Sequence, residues 1–261
     1  MNCLLRAAYT TALALGITIS TFAQSYGVRV ELHAENIGVL TNALGETVDL
    51  TGFSTYRLYA TTVNSTDFVS AAYGNAENPL SINTTTSYFH NSVAGLTAAG
   101  SNPLLFAVYP DIAYDSYITI GLAGPADLAA GEADPQMATS PSQNFGAIFD
   151  PGAGAAGANL VIDDLIGGTW FVLNTAVNGT AGADLEVLIG QFTTDGDFSG
   201  TVNVQIFENG AGGTTLFITD TFEYAEGCAT DVDGDGICDD EDDCVGTLDA
   251  CEVCNGPGAI Y

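Results

Sequence analysis

Lysine is absent from this chain, and three arginines stand against 32 aspartates and glutamates, for a formal charge of −29. That imbalance excludes nucleic acid and anionic lipid as partners, since both would be repelled. Cysteine is missing from Gln24 to Gly227, so that stretch must fold on its own apolar core. Helical periodicity is nearly missing as well. After the first two dozen residues no apolar run is long enough to cross a bilayer as a helix. The catalytic inventory is thin. The two histidines, His33 and His90, lie far apart without H-E-x-x-H spacing, and neither a G-x-S-x-G elbow nor a phosphate-binding loop occurs.

What is present divides into three parts. Residues 1–23 read as an export signal, with Arg6 before the apolar run Ala7 to Ile19 and small residues Thr21 and Ala23 before a cleavage site at Gln24. The mature chain is therefore expected outside the cell, with no membrane insertion after cleavage. Residues 24–227 combine an ordinary share of apolar residues with alternation of period two, as in Val28, Val30 and Leu32 or Tyr56, Leu58 and Ala60. Short β-rich runs follow at Asp67 to Tyr73, Leu104 to Tyr109, Tyr117 to Leu122 and Trp170 to Leu173. Leu185, Val187 and Ile189 alternate, as do Val202, Val204 and Ile206. With Asp195-Gly196 between them, they are expected to form a hairpin. The pattern predicts an all-β fold, a β-sandwich of jelly-roll type. Pro125 to Glu132 is the place for one short helix, and Gly131 to Asn159 reads as a long loop of low order.

Residues 228–261 form a third part, an irregular arm that holds five cysteines. In an exported chain these are expected to form disulfides. The odd number leaves their pairing open, and the abrupt end after C-E-V-C-N-G-P-G reads as the front of a longer frame. Between Asp231 and Asp243, eight of thirteen residues are acidic. Burial of Val232 and Ile237 returns only about 1.5–3 kcal/mol each, against roughly 13–26 kcal/mol of backbone entropy for ordering thirteen residues. A cation is the missing partner. With Asp231 as position one, Asp233, Asp235, Ile237, Asp239 and Asp242 occupy positions three, five, seven, nine and twelve, and Gly236 occupies six. Those are the positions from which a twelve-residue loop wraps calcium in oxygen, Ile237 through its carbonyl. Hard oxygen ligands select Ca²⁺ over zinc.

The pattern D-x-D-x-D-G-x-C-D-x-x-D-x-C over 231–244 resembles the thrombospondin type 3 repeat, an extracellular calcium-binding element. The following C-E-V-C-N-G resembles a cysteine-rich unit of secreted bacterial proteins. T-Y-R-L-Y-A (55–60), A-Y-D-S-Y-I-T-I-G (113–121) and G-T-V-N-V-Q-I-F (200–207) resemble an uncharacterised secreted β-domain of marine bacteria and algae. The resemblance implies a calcium-stiffened arm, with Asp240, Glu241 and Asp243 available to a second ion. The function expected is a non-enzymatic, secreted or surface-displayed structural or adhesion protein that contacts surface glycans or extracellular matrix. A carbohydrate-binding module of a larger exported protein is the second reading. An extracellular hydrolase is the third, with Asp111 and Asp115 as the carboxylates to inspect.

Overall fold

The computed structural model describes residues 25–210 and 213–224. Thirteen strands run in the order β1 Gly27–Ala34, β2 Gly38–Thr41, β3 Thr47–Leu50, β4 Ser54–Thr61, β5 Phe68–Gly74, β6 Leu80–Thr84, β7 Tyr117–Ile118, β8 Gln136–Ala138, β9 Leu160–Ile162, β10 Gly168–Phe171, β11 Glu186–Thr194, β12 Phe198–Phe207 and β13 Thr215–Tyr224. One short helix, α1 Phe145–Phe149, stands before β9. The chain forms the all-β sandwich expected from its alternating pattern. One sheet has the order β1-β4-β11-β7; the other has β8-β10-β5-β12-β6-β9 with β13 also on β12; β2 and β3 make a separate hairpin.

Alternation decides what each sheet buries. Tyr56, Leu58 and Ala60 of β4 face Val202, Val204 and Ile206 of β12 across one core, with Trp170 at its centre. The Trp170 indole N–H reaches over from β10 and donates to the carbonyls of Thr119 (3.0 Å) and Ile189 (3.1 Å), on the opposite sheet's side. β11 bulges at Ile189, between its pairings through Leu188 and Gly190, and the Ile189 carbonyl also accepts from the Thr119 N–H at 3.1 Å. The indole is thus a second donor to the Ile189 carbonyl, and it ties β10 to the opposite sheet.

β5 and β6 lie end to end along β12, because the chain from Phe68 to Thr84 runs antiparallel to Phe207 to Phe198 with one interruption at residues 75–79. The buried Asn203 fills that gap. Its amide donates to the carbonyls of Tyr73, Asn78 and Pro79 at 2.9–3.1 Å. An apolar residue there would leave three carbonyls without this donor.

Several expectations need correction. β11 and β12 do not form a hairpin: β11 pairs with β4 and β7, and β12 pairs with β5, β6 and β13. The turn at Asp195-Gly196 is an arch that carries the chain from one sheet to the other. Thr84 and Thr86 bind the Thr194 hydroxyl at 2.6 and 3.0 Å, Thr86 donates to Asp195 at 2.6 Å, and the Asp197 N–H donates to Thr85 at 3.0 Å. Leu185 is not on the strand's apolar face. It adopts a left-handed backbone (φ 59°) just before β11. Leu104 to Tyr109 is no strand either, because Pro103 and the Asn102 side chain open a 3-10 turn there. Only Tyr117 and Ile118 of the run to Leu122 are strand, since Gly121 turns at φ 71° beneath the backbone of Asn178.

Pro125 to Glu132 forms turns, not a helix. Gly131 to Asn159, expected to be a loop of low order, contains β8 and α1, which buries Phe145 and Phe149 in the main core. Asn144 accepts from the Ala147 N–H to start α1. The many glycines and alanines here hid two aromatic anchors.

Candidate functional site

The calcium positions Asp231, Asp233, Asp235, Ile237, Asp239 and Asp242 lie outside the described residues, as do the export signal and the cysteine-rich arm. Among the described residues, no group of three or more His, Cys, Asp or Glu side chains is arranged to hold a metal ion. Nor is any described helix long and apolar enough to cross a membrane.

Asp111 and Asp115 do come together, inside the protein. Asp111 sits in the 3-10 turn Pro110–Tyr114 and Asp115 caps its end. Asn91 ties them: its backbone N–H donates to Asp115 at 2.7 Å and its side-chain amide donates to Asp111. His90 lies 3.7 Å from Asp115 and 4.0 Å from Asp150, with 1% of its side chain exposed, and neither ring nitrogen makes a hydrogen bond of good geometry among the described residues. Its Nε2 edge packs against Gly157, where any Cβ would collide with the ring. Burial pushes the Asp115 carboxyl well above the usual carboxylate range, and the nearby Asp150 and Asp111 add to the rise. Burial likewise lowers the His90 imidazole. Both shifts favour the neutral forms, and backbone bonds from Phe89 to Thr193 and from Ser116 to Phe89 tie the cluster to the sandwich. Asp67, also buried, behaves in the opposite way. Burial raises it, but N–H donors from Asn209 and Asn64, the Asn64 amide and the Tyr26 hydroxyl outweigh that and hold it below its ordinary value.

The two outer faces of the sandwich differ in kind. On the four-stranded sheet, β1 and β4 bring Arg29 opposite Tyr59 and Glu31 opposite Arg57. Arg29 grips Glu186 with two bonds of 2.7 and 2.6 Å, reaches Glu31 at 3.2 Å, and lies 4.6 Å over the Tyr59 ring. Arg57 donates to Gln191 at 3.0 Å. Both arginines of the described chain are therefore on this face, interleaved with acids.

The seven-stranded sheet presents the reverse. Its register aligns Gln136, Phe171, Ala71, Gln205 and Phe217 in one row across β8, β10, β5, β12 and β13. The next row is Ala138, Thr169, Tyr73, Asn203 and Thr219. Beyond the 75–79 loop follow Val161, Ser81, Thr201 and Thr221, then Asn83, Ser199 and Glu223. Only Glu223, at the far end, carries a charge. Over the first two rows lie two adjoining grooves that share Thr169. One, of about 410 Å³, is lined by residues that include Ser70, Phe171, Leu173, Gln205 and Phe207; the other, of about 300 Å³, by Tyr73, Asn75, Thr139 and Ile166 among others. No charged side chain lines either groove. Glu132 and Asp134 come only at the next depression, past Leu173.

This face was not among the residues singled out from sequence. T-V-N-V-Q-I-F shows that Asn203 and Gln205 oppose the apolar side of their strand, yet the row across five strands depends on pairings that sequence does not display. No family model matches the chain, and neither a curated protein nor a solved structure matches it.

Proposed function

We propose that this chain is an exported, calcium-binding adhesion or structural protein, non-catalytic, with a β-sandwich head and a calcium-stiffened arm at residues 228–261. The observation that carries the reading is the uncharged outer face of the seven-stranded sheet. In a chain with 32 acids, the first three rows of this sheet hold no charged side chain. A face kept clear of charge is suited to contact. The carboxylates inspected for hydrolysis support the same reading, since Asp111 and Asp115 are buried and held by Asn91 rather than set astride a groove.

The arm follows from the D-x-D-x-D-G spacing. Loaded with calcium, it would hold the head at a fixed distance; stripped, repulsion between its acids would loosen it. Extracellular calcium modules bind at roughly 10⁻⁴–10⁻³ M. Calorimetric titration of the oxidised mature chain should show calcium binding in or below that range, lost in the double variant Asp233→Ala, Asp235→Ala. Equal binding by the variant would remove the arm from the account.

A further inference from the structure

We propose that the outer face of the seven-stranded sheet, uncharged over its first three rows, is a binding platform for a neutral polysaccharide chain. The inference rests on the adhesive reading above and names its ligand.

Three properties of the face select that chemistry. The first is charge. A ligand with acidic groups would meet a protein of formal charge −29, and one with basic groups would find no carboxylate in either groove. A neutral ligand meets neither obstacle. Glu186, on the opposite face, is already engaged by Arg29.

The second property is the placing of rings. Phe171 on β10 and Phe217 on β13 occupy the same row, three strand spacings apart, or about 14 Å. Tyr73 stands in the adjacent row and meets the Phe217 ring edge-on, with centroids 5.9 Å apart. Phe217 is 63% exposed, so its ring face is open to a ligand while its edge contact is with Tyr73. Rings spaced along one row of a sheet suit the apolar C–H faces of successive sugar units. Between the two phenylalanines the row carries Ala71 and the Gln205 amide, so a polar group stands between the rings.

The third is the kind of polar group between the rings. Ser70 donates to the Gln205 carbonyl oxygen Oε1 at 3.0 Å. This bond fixes the amide, and no described residue accepts from its N–H groups. Asn174 and Thr169 line the same groove. Amides and hydroxyls both donate and accept, as sugar hydroxyls require, and Thr169 and Gln205 are held on strands β10 and β12.

The test is affinity electrophoresis of the oxidised mature chain in native gels that contain a neutral β-glucan, a neutral galactomannan, the acidic polysaccharide alginate, or none. The expected result is retardation in at least one neutral gel and none in alginate. Phe171→Ala and Phe217→Ala should each weaken binding about tenfold, or about 1.4 kcal/mol, while circular dichroism and melting stay close to wild type. Unchanged mobility in every gel, retardation in alginate alone, or full binding by both variants would overturn the proposal. So would sedimentation that shows a dimer dissociated by Phe217→Ala, which would give the face to a second copy of the chain. The calcium titration reads separately. Retardation without calcium binding would sink the arm and keep the ligand, whereas calcium binding without retardation would sink the ligand alone.

Discussion

Replacement of Trp170 by alanine is expected to lower the stability of the head by about 3–5 kcal/mol, or roughly 6–20 °C in Tm for a domain of this size. The ring is fully buried at the centre of the core, and its N–H is shared by the carbonyls of Thr119 and Ile189. Alanine would create a cavity and take away both carbonyls' indole donor. Trp170→Phe separates the two effects. It keeps most of the apolar volume and loses the donor, so its destabilisation should be smaller, about 1–3 kcal/mol. Circular dichroism melts of the mature proteins measure both, since the only tryptophan is the residue replaced. Equal losses for the two variants would mean that the indole hydrogen bonds, not the ring volume, hold the sheets together.

Asp115→Asn should stabilise the protein at alkaline pH, although it alters a buried, hydrogen-bonded residue. The folded-state pKa of Asp115 is raised by burial, with Asp150 and Asp111 adding to it. A raised carboxyl gives a stability contribution that is full below the unfolded value, near 3.9, and is lost as pH rises through the folded value. Asparagine keeps the acceptor for the Asn91 N–H and carries no charge. At pH 8 its Tm should exceed wild type by more than ~2 °C, the shift that about 1 kcal/mol produces, and the gain should shrink towards pH 4. His90, lowered by burial, acts at the other end: the unfolded chain takes up its proton near pH 6.5 while the folded chain resists, so stability falls below that pH. Asp67 has the opposite sign to Asp115. Held below its ordinary value by Asn209, Asn64 and Tyr26, it stabilises above about pH 3.9 and loses that contribution in acid. Asp115→Asn with a Tm at pH 8 at or below wild type would mean that Asp115 is ionised beside a charged His90.

Strands β1, β4, β5 and β10 were legible because their alternation survives in any partner arrangement. The β11–β12 connection was not. Thr-Asp-Gly-Asp serves a hairpin or an arch equally well, and the choice is made by Thr84, Thr85 and Thr86, a hundred residues distant. The buried acids were illegible for a different reason. An aspartate in sequence defaults to the surface, and only Asn91, twenty residues away from Asp111, reveals that the pair is held inside. The binding face was half visible: each strand's polar side could be read, but the absence of charge across strands is a property of the register.

The account turns on which outer face meets the ligand, and two substitutions of matched charge decide it. Gln205→Glu and Arg57→Gln each make the protein more negative by one unit, the first isosterically in the uncharged groove and the second on the four-stranded face. Attachment of the mature chain to a neutral polysaccharide at one ionic strength should be lost with Gln205→Glu and kept with Arg57→Gln. Equal attachment by both variants, or loss with Arg57→Gln alone, would contradict the assignment of the seven-stranded face.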